Sequence, residues 1–194
     1  MLGANPGLDR AALHSNAGLE TVLDADPGLN CAVDADAGLE RALAIAYRYL
    51  NARERTQAEM RAHLQGKGID PRDAERSIQA LAEQGQLDDR RFARLFVQDK
   101  RELDAWGVER IRQALFSRGV DRHVVDDALA EHEQNSDGGE IDRALAVLRR
   151  RFPSPAGDRR ERERALGVLL RKGFDTDLAL EAIATQVRHA DVGD

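Results

Sequence analysis

Apolar residues along this chain recur at steps of three and four, the spacing that places them on one face of a helix. The pattern is organised around three corners: Lys67-Gly68-Ile69-Asp70, Arg118-Gly119-Val120-Asp121 and Lys172-Gly173-Phe174-Asp175. Four residues before each glycine stand Leu64, Leu115 and Leu169, and eight before it Met60, Ile111 and Ala165. Six residues after it stand Ala74, Val125 and Ala179, and ten after it Ile78, Leu129 and Ile183. Each corner therefore joins two helices. Glycine suits the left-handed position that ends the first, and the preceding cation faces that helix's negative end. The apolar residue turns back into the core, and the aspartate caps the second helix.

A further apolar face precedes each pair, so the repeating unit holds three helices. In the first unit, residues 39–86, the faces are Leu39, Leu43, Ala46 and Leu50, then Met60 and Leu64, then Ala74, Ile78 and Leu81. Thr56 and Glu59 form a capping-box pattern, and Pro71 follows the cap Asp70 at the first turn of the third helix. The second unit, residues 87–132, opens on Leu87 to Val97, with Asp88 or Asp89 as cap and Phe92, Leu95 and Phe96 inward. Residues 133–139 read as a polar linker. The third unit, residues 140–189, carries Ile141, Leu145, Leu148 and Phe152 on its first face and is broken at Pro153-Ser154-Pro155. The expected fold is all-α: three tandem three-helix repeats forming an elongated, curved array. Units of this size have marginal cores alone and should lean on their neighbours.

Composition agrees, with 33% charged and 4% aromatic residues. The net charge of −6 is unevenly placed. Residues 1–40 hold one cation, Arg10, against seven acids: Asp9, Glu20, Asp24, Asp26, Asp34, Asp36 and Glu40. The rest of the chain is balanced, with 28 residues of each sign. Glycine and proline recur through the start of the chain, so residues 1–38 are expected to form an acidic, disordered tail, and 190–194 a short polar one. With one cysteine, Cys31, no intrachain disulfide is available. No apolar run has membrane-spanning length and no signal-peptide pattern opens the chain. A cytoplasmic monomer is expected.

The run Leu87-Asp88-Asp89-x-Arg91-Phe92-Ala93-x-x-Phe96-Val97, followed by Gly107, Ile111-Arg112, Leu115 and Gly119-Val120, resembles the RecX regulatory proteins of bacteria. So does Arg55-Thr56-x-x-Glu59-Met60-Arg61-x-x-Leu64 leading to Gly68. The resemblance covers about residues 39–187 and is weaker in the third unit. It implies three tandem three-helix repeats. It also implies a non-enzymatic regulator that binds the RecA recombinase, within the groove of its filament on single-stranded DNA. Such a regulator restrains filament growth, and strand exchange, ATP hydrolysis and repressor self-cleavage in the SOS response fall with it. The alternative is a general helical DNA-binding protein that acts without RecA, for which a basic stripe and strongly salt-dependent binding are expected.

No cofactor, metal site or catalytic constellation is expected. There is no glycine-rich phosphate loop, and His14, His63, His123, His132 and His189 are scattered. Trp106 reads either as a corner plug or as a base-stacking platform. The arginines read either as solvated faces laced with ion pairs or as contacts to RecA and DNA phosphates. The candidates in the second unit are Arg90, Arg91, Arg94, Lys100, Arg101, Arg110, Arg112 and Arg118. In the third they are Arg149, Arg150, Arg151, Arg159 and Arg160, in a dense run that also holds Arg162 and Arg164 and is diluted by Glu161 and Glu163.

Overall fold

The computed structural model of the chain describes residues 27–136, 138–154 and 157–191. The expected tails fall outside these over residues 1–26 and 192–194. The described residues form nine helices and no strand. Repeat 1 comprises α1 (Pro27–Leu50), α2 (Gln57–Gly66) and α3 (Pro71–Glu83). Repeat 2 comprises α4 (Asp89–Glu102), α5 (Val108–Phe116) and α6 (Arg122–Gln134). Repeat 3 comprises α7 (Glu140–Arg151), α8 (Arg159–Lys172) and α9 (Thr176–Asp191).

α1 opens at Pro27, upstream of the expected start near Leu39. Pro27-Gly28 reads as a break in the sequence. At the first turn of a helix, however, the missing proline N–H is one no helical bond uses. Likewise α6 continues to Gln134, two residues into the expected linker.

The caps are those the sequence predicts. The carboxylates of Asp70, Asp121 and Asp175 accept from the backbone N–H two residues on, at 2.8, 2.8 and 2.9 Å. Asp88, rather than Asp89, caps α4, accepting from Arg91 N at 3.0 Å. Each such cap stabilises its helix by about 1 kcal/mol. Thr56 caps α2 by accepting from Glu59 N at 3.1 Å, while Glu59 itself pairs with Arg53 at 3.1 Å. The corner glycines take left-handed φ values of 71°, 74° and 87° at Gly68, Gly119 and Gly173.

Each repeat closes over its own core. Met60, Leu64, Ile78 and Leu81 centre the first, Phe92, Val97, Ile111 and Leu115 the second, and Leu145, Leu148, Leu169 and Ile183 the third. Within every repeat the first helix packs on the third, and helix–helix packing is mainly internal to a repeat. Leu95 departs from expectation, standing 45% exposed. The buried stripe of α4 runs through Phe92, Ala93 and Val97, and Leu95 projects beside it.

The repeats are joined by one device used twice. The corner of each following repeat docks on the start of the second helix of the repeat before. At the first joint, the buried Thr56 hydroxyl donates to Arg118 O at 2.7 Å. At the second, Gly107 N donates to Lys172 O at 2.8 Å and Glu109 N to Gly173 O at 3.1 Å. The unpaired carbonyls at the end of α5 and α8 thus meet donors at the start of α2 and α5. Three glycines are required for this approach, Gly107 among them, where a Cβ would overlap the backbone of Gly173. A Cβ on Gly119 would overlap the Ala58 methyl, and one on Gly173 would overlap the backbone of Arg110. The corner of repeat 1 has no such neighbour, with nothing within 4 Å of a Cβ built on Gly68. α8 also differs from its counterparts, with 14 residues against 10 in α2 and 9 in α5.

Candidate functional site

The predicted cations separate into those spent on the fold and those left on its surface. Arg101 belongs to the first group. It is 5% exposed, pairs with Glu140, lies 4.0 Å from Glu133, and donates to Trp106 O at 3.3 Å. Glu140 in turn accepts from Val108 N at 3.0 Å, so one carboxylate of α7 holds both α4 and the start of α5. Burial of such a pair is tolerated because each charge faces its partner. Arg101 therefore offers no surface to another molecule.

Arg91 bridges the first joint, with its guanidinium 3.3 Å from Glu54 and donating to Gly85 O at 3.1 Å. Arg118 stacks over Phe96 at 4.8 Å and donates to Ala114 O at 2.9 Å. Arg112 pairs with Glu109 and lies 3.5 Å from Asp126. Arg90 meets Asp127 at 3.2 Å, with both side chains more than half exposed. An exposed pair of this kind is worth under about 1 kcal/mol and opens readily.

Trp106 is flanked by two cations and a phenylalanine. The Arg110 guanidinium lies 4.0 Å from its ring centre and the Lys100 ammonium 5.1 Å, while Phe96 meets it edge-on at 6.3 Å. Of the two readings of Trp106, the arrangement supports the corner plug, because the ring packs against the core of repeat 2. Lys100 is further held by Asp104 at 2.6 Å, whose carboxyl it keeps below the usual carboxylate range.

The second group gathers at the joint of repeats 2 and 3. Arg150 and Arg151 of α7 and Arg171 of α8 line a cleft of about 670 Å³, together with Arg110 of α5, which also donates to Arg171 O at 2.8 Å, and Lys172, which also donates to Asp104 O. Its acids are Glu102 and Asp104, the latter paired with Lys100. A second hollow of about 590 Å³ continues it along α8, sharing Arg151 and Arg171 and adding Arg160 and Arg164. Gly167, facing this hollow, leaves it open. Arg150, Arg151, Arg160 and Arg171 are exposed and make no ion pair among the described residues. Arg149 is exposed nearby, and Arg159 pairs with Glu163 at 2.9 Å. Arg94 is exposed beside Leu95 in a separate hollow with Gln98 and His132. Arg164, read from the sequence as part of the dense arginine run, joins the site, and so do Arg171 and Lys172, which were not candidates. The signal was present: Arg160, Arg164 and Arg171 share one helical face.

Among the described residues no cluster of His, Cys, Asp and Glu could hold a metal, and no helix is long and apolar enough to cross a membrane. Fold and surface together define an all-α tandem-repeat protein whose chemistry-bearing groups are guanidinium-lined clefts between modules. Comparison with known proteins makes this specific. The family models described as the first, second and third three-helix domains of RecX match residues 42–81, 88–129 and 139–183. A protein of Halorhodospira halophila named regulatory protein RecX is 40% identical over 141 residues, covering 72% of this chain and 84% of its own length. One of the same name from Trichlorobacter lovleyi is 34% identical over 136 residues, covering 69% and 87%. The crystal structure of RecX from Lactobacillus salivarius superposes with a TM-score of 0.67 at 21% identity, covering 81% of this chain and 99% of that one. The chain belongs to the RecX family of regulatory proteins.

Proposed function

We propose that this protein binds the RecA recombinase filament on single-stranded DNA and restrains its growth, using the cleft between repeats 2 and 3 as a principal contact. The observation that carries this reading is the set of arginines without partners: Arg150, Arg151, Arg160 and Arg171. A paired guanidinium must surrender its carboxylate before it can take another, whereas an unpaired one is available at once for the fork-like recognition of carboxylate or phosphate. The balanced charge of residues 41–194 favours a local contact over attraction spread along the whole molecule. RecA engagement itself rests on family membership, and the array would lie across adjacent recombinase subunits in the filament groove.

The test is RecA ATPase on single-stranded DNA with sub-stoichiometric amounts of the protein. Turnover falls with the native chain, and the triple variant Arg150→Glu, Arg151→Glu, Arg171→Glu loses most of the inhibition with helicity unchanged. Unaltered turnover together with tight DNA binding in the absence of RecA would transfer the protein to the general DNA-binding class.

A further inference from the structure

Two positions of the repeat exchange character in repeat 3. Six residues before each corner glycine stand Ala62, Gln113 and Gly167, and two before it Gly66, Ser117 and Arg171. The two positions are four apart, so at helical spacing they lie one above the other. Repeats 1 and 2 place the larger residue first and the smaller second. Repeat 3 reverses the order, with no side chain at the first and a long cation at the second. The reversal has a cost, because Gly167 lies inside α8, where glycine is less stable than alanine. It also has a visible effect. A Cβ on Gly167 would stand 3.3 Å from Arg171 Nη1, closer than ordinary contact, so the Arg171 guanidinium lies back across α8 over the bare glycine.

Arg160, Arg164, Gly167 and Arg171 follow one another at steps of four, three and four, along one face of α8. We infer that this face is a notch for a single carboxylate of the partner protein, and that Gly167 keeps the notch open and positions Arg171 in it. The assignment rests on the RecA reading, and it names the filament's protein, not its DNA, as what the notch meets. Arg151 of α7 lines the same hollow. Arg151, Arg160 and Arg171 make no ion pair among the described residues, so their donors are available for a fork-like contact. Phe152 and Val168, also in the hollow, offer apolar contact to the stem of an acidic side chain, a part that a phosphate lacks. The run of cations is bounded. The adjoining cleft holds Glu102, which accepts from Gln98 at 3.1 Å and makes no ion pair among the described residues. A nucleic-acid strand carries a charge at every nucleotide and would meet this acid as it continued, whereas one carboxylate reaches the arginines and stops.

The experiment uses the full chain and RecA ATPase on single-stranded DNA. Gly167→Gln installs the residue of repeat 2. It raises the thermal midpoint by about 2 °C, because glycine leaves the helix interior, yet about tenfold more protein is needed for half inhibition. Gly167→Ala adds only a methyl and guards against misfolding of the larger variant: its midpoint also rises, and it loses less inhibition. In an Arg171→Gln background, Gly167→Gln brings no further loss, because the notch acts through Arg171. A merely structural glycine would give the same change in both backgrounds. Affinity for a single-stranded oligonucleotide without RecA stays as in the native chain. Full inhibition by Gly167→Gln, beside a native chain that inhibits, overturns the notch and leaves the RecA reading standing. A fall in oligonucleotide affinity parallel to the loss of inhibition overturns it too, by showing a phosphate in the notch. A native chain without effect on RecA overturns both.

Discussion

At the scale of single residues, the corner glycines perform two tasks that the sequence presents as one. Their left-handed φ was legible, because the cap motif is local. The close approach at Gly119 and Gly173 was not, since the atoms they admit belong to another repeat. The two tasks separate by substitution. Gly68→Ala meets no neighbour and carries the conformational cost alone, about 1–2 kcal/mol. Gly119→Ala carries that cost and a collision with Ala58, for about 1–3 kcal/mol more. Urea denaturation of the two variants is expected to rank them in that order, and equal losses would show that the first joint does not need its tight contact. The arginines follow the same logic. Neither composition nor helical period says whether a cation faces solvent or the next repeat. Arg101 therefore reads as a surface candidate yet is buried, while Arg171 lies in the cleft unremarked beside the corner residue Lys172.

At the scale of elements, the second joint is an electrostatic clamp as well as a set of backbone bonds. Arg101 and Arg143 share Glu140 and Glu133, and His132 at the end of α6 lies beside them. Burial, then the charges of Arg101 and Arg143, hold the His132 imidazole below its ordinary value, against the opposing pull of Glu133 and Glu102. The unfolded chain therefore binds this proton more readily than the folded one. The contribution of His132 is fully present above pH 6.5, its unfolded value, and is lost as pH falls below that. Thermal unfolding followed from pH 7.5 to 5.5 is expected to show a decline that His132→Gln reduces. An identical decline in the variant would exclude His132 as its source. Helix existence and caps in this region were readable from the chain, because aspartate and glycine act on their own helix ends. The clamp was not, since Glu140 reaches across more than thirty residues to Arg101 and Val108.

At the scale of the whole molecule, three small cores are coupled through two joints, so stability is a sum of modules and interfaces. The extra turn of α8 bears on how such an array ends. In repeats 1 and 2 the residue that caps the start of the second helix is Thr56 or Gly107, whose donor reaches the following corner. Counted back from Gly173, the matching residue is Glu161, inside α8, and its N–H is already bound to Asp158 at 2.7 Å. Repeat 2 thus carries both halves of the coupling, and repeat 3 carries one. A gene in which repeat 2 is duplicated in tandem should yield a longer, fully folded rod whose unfolding remains cooperative by calorimetry. One in which repeat 3 is duplicated should give a last module that melts separately. The number of repeats is then a property written into the length of a single helix, and the molecule is extensible from its middle but not from its end.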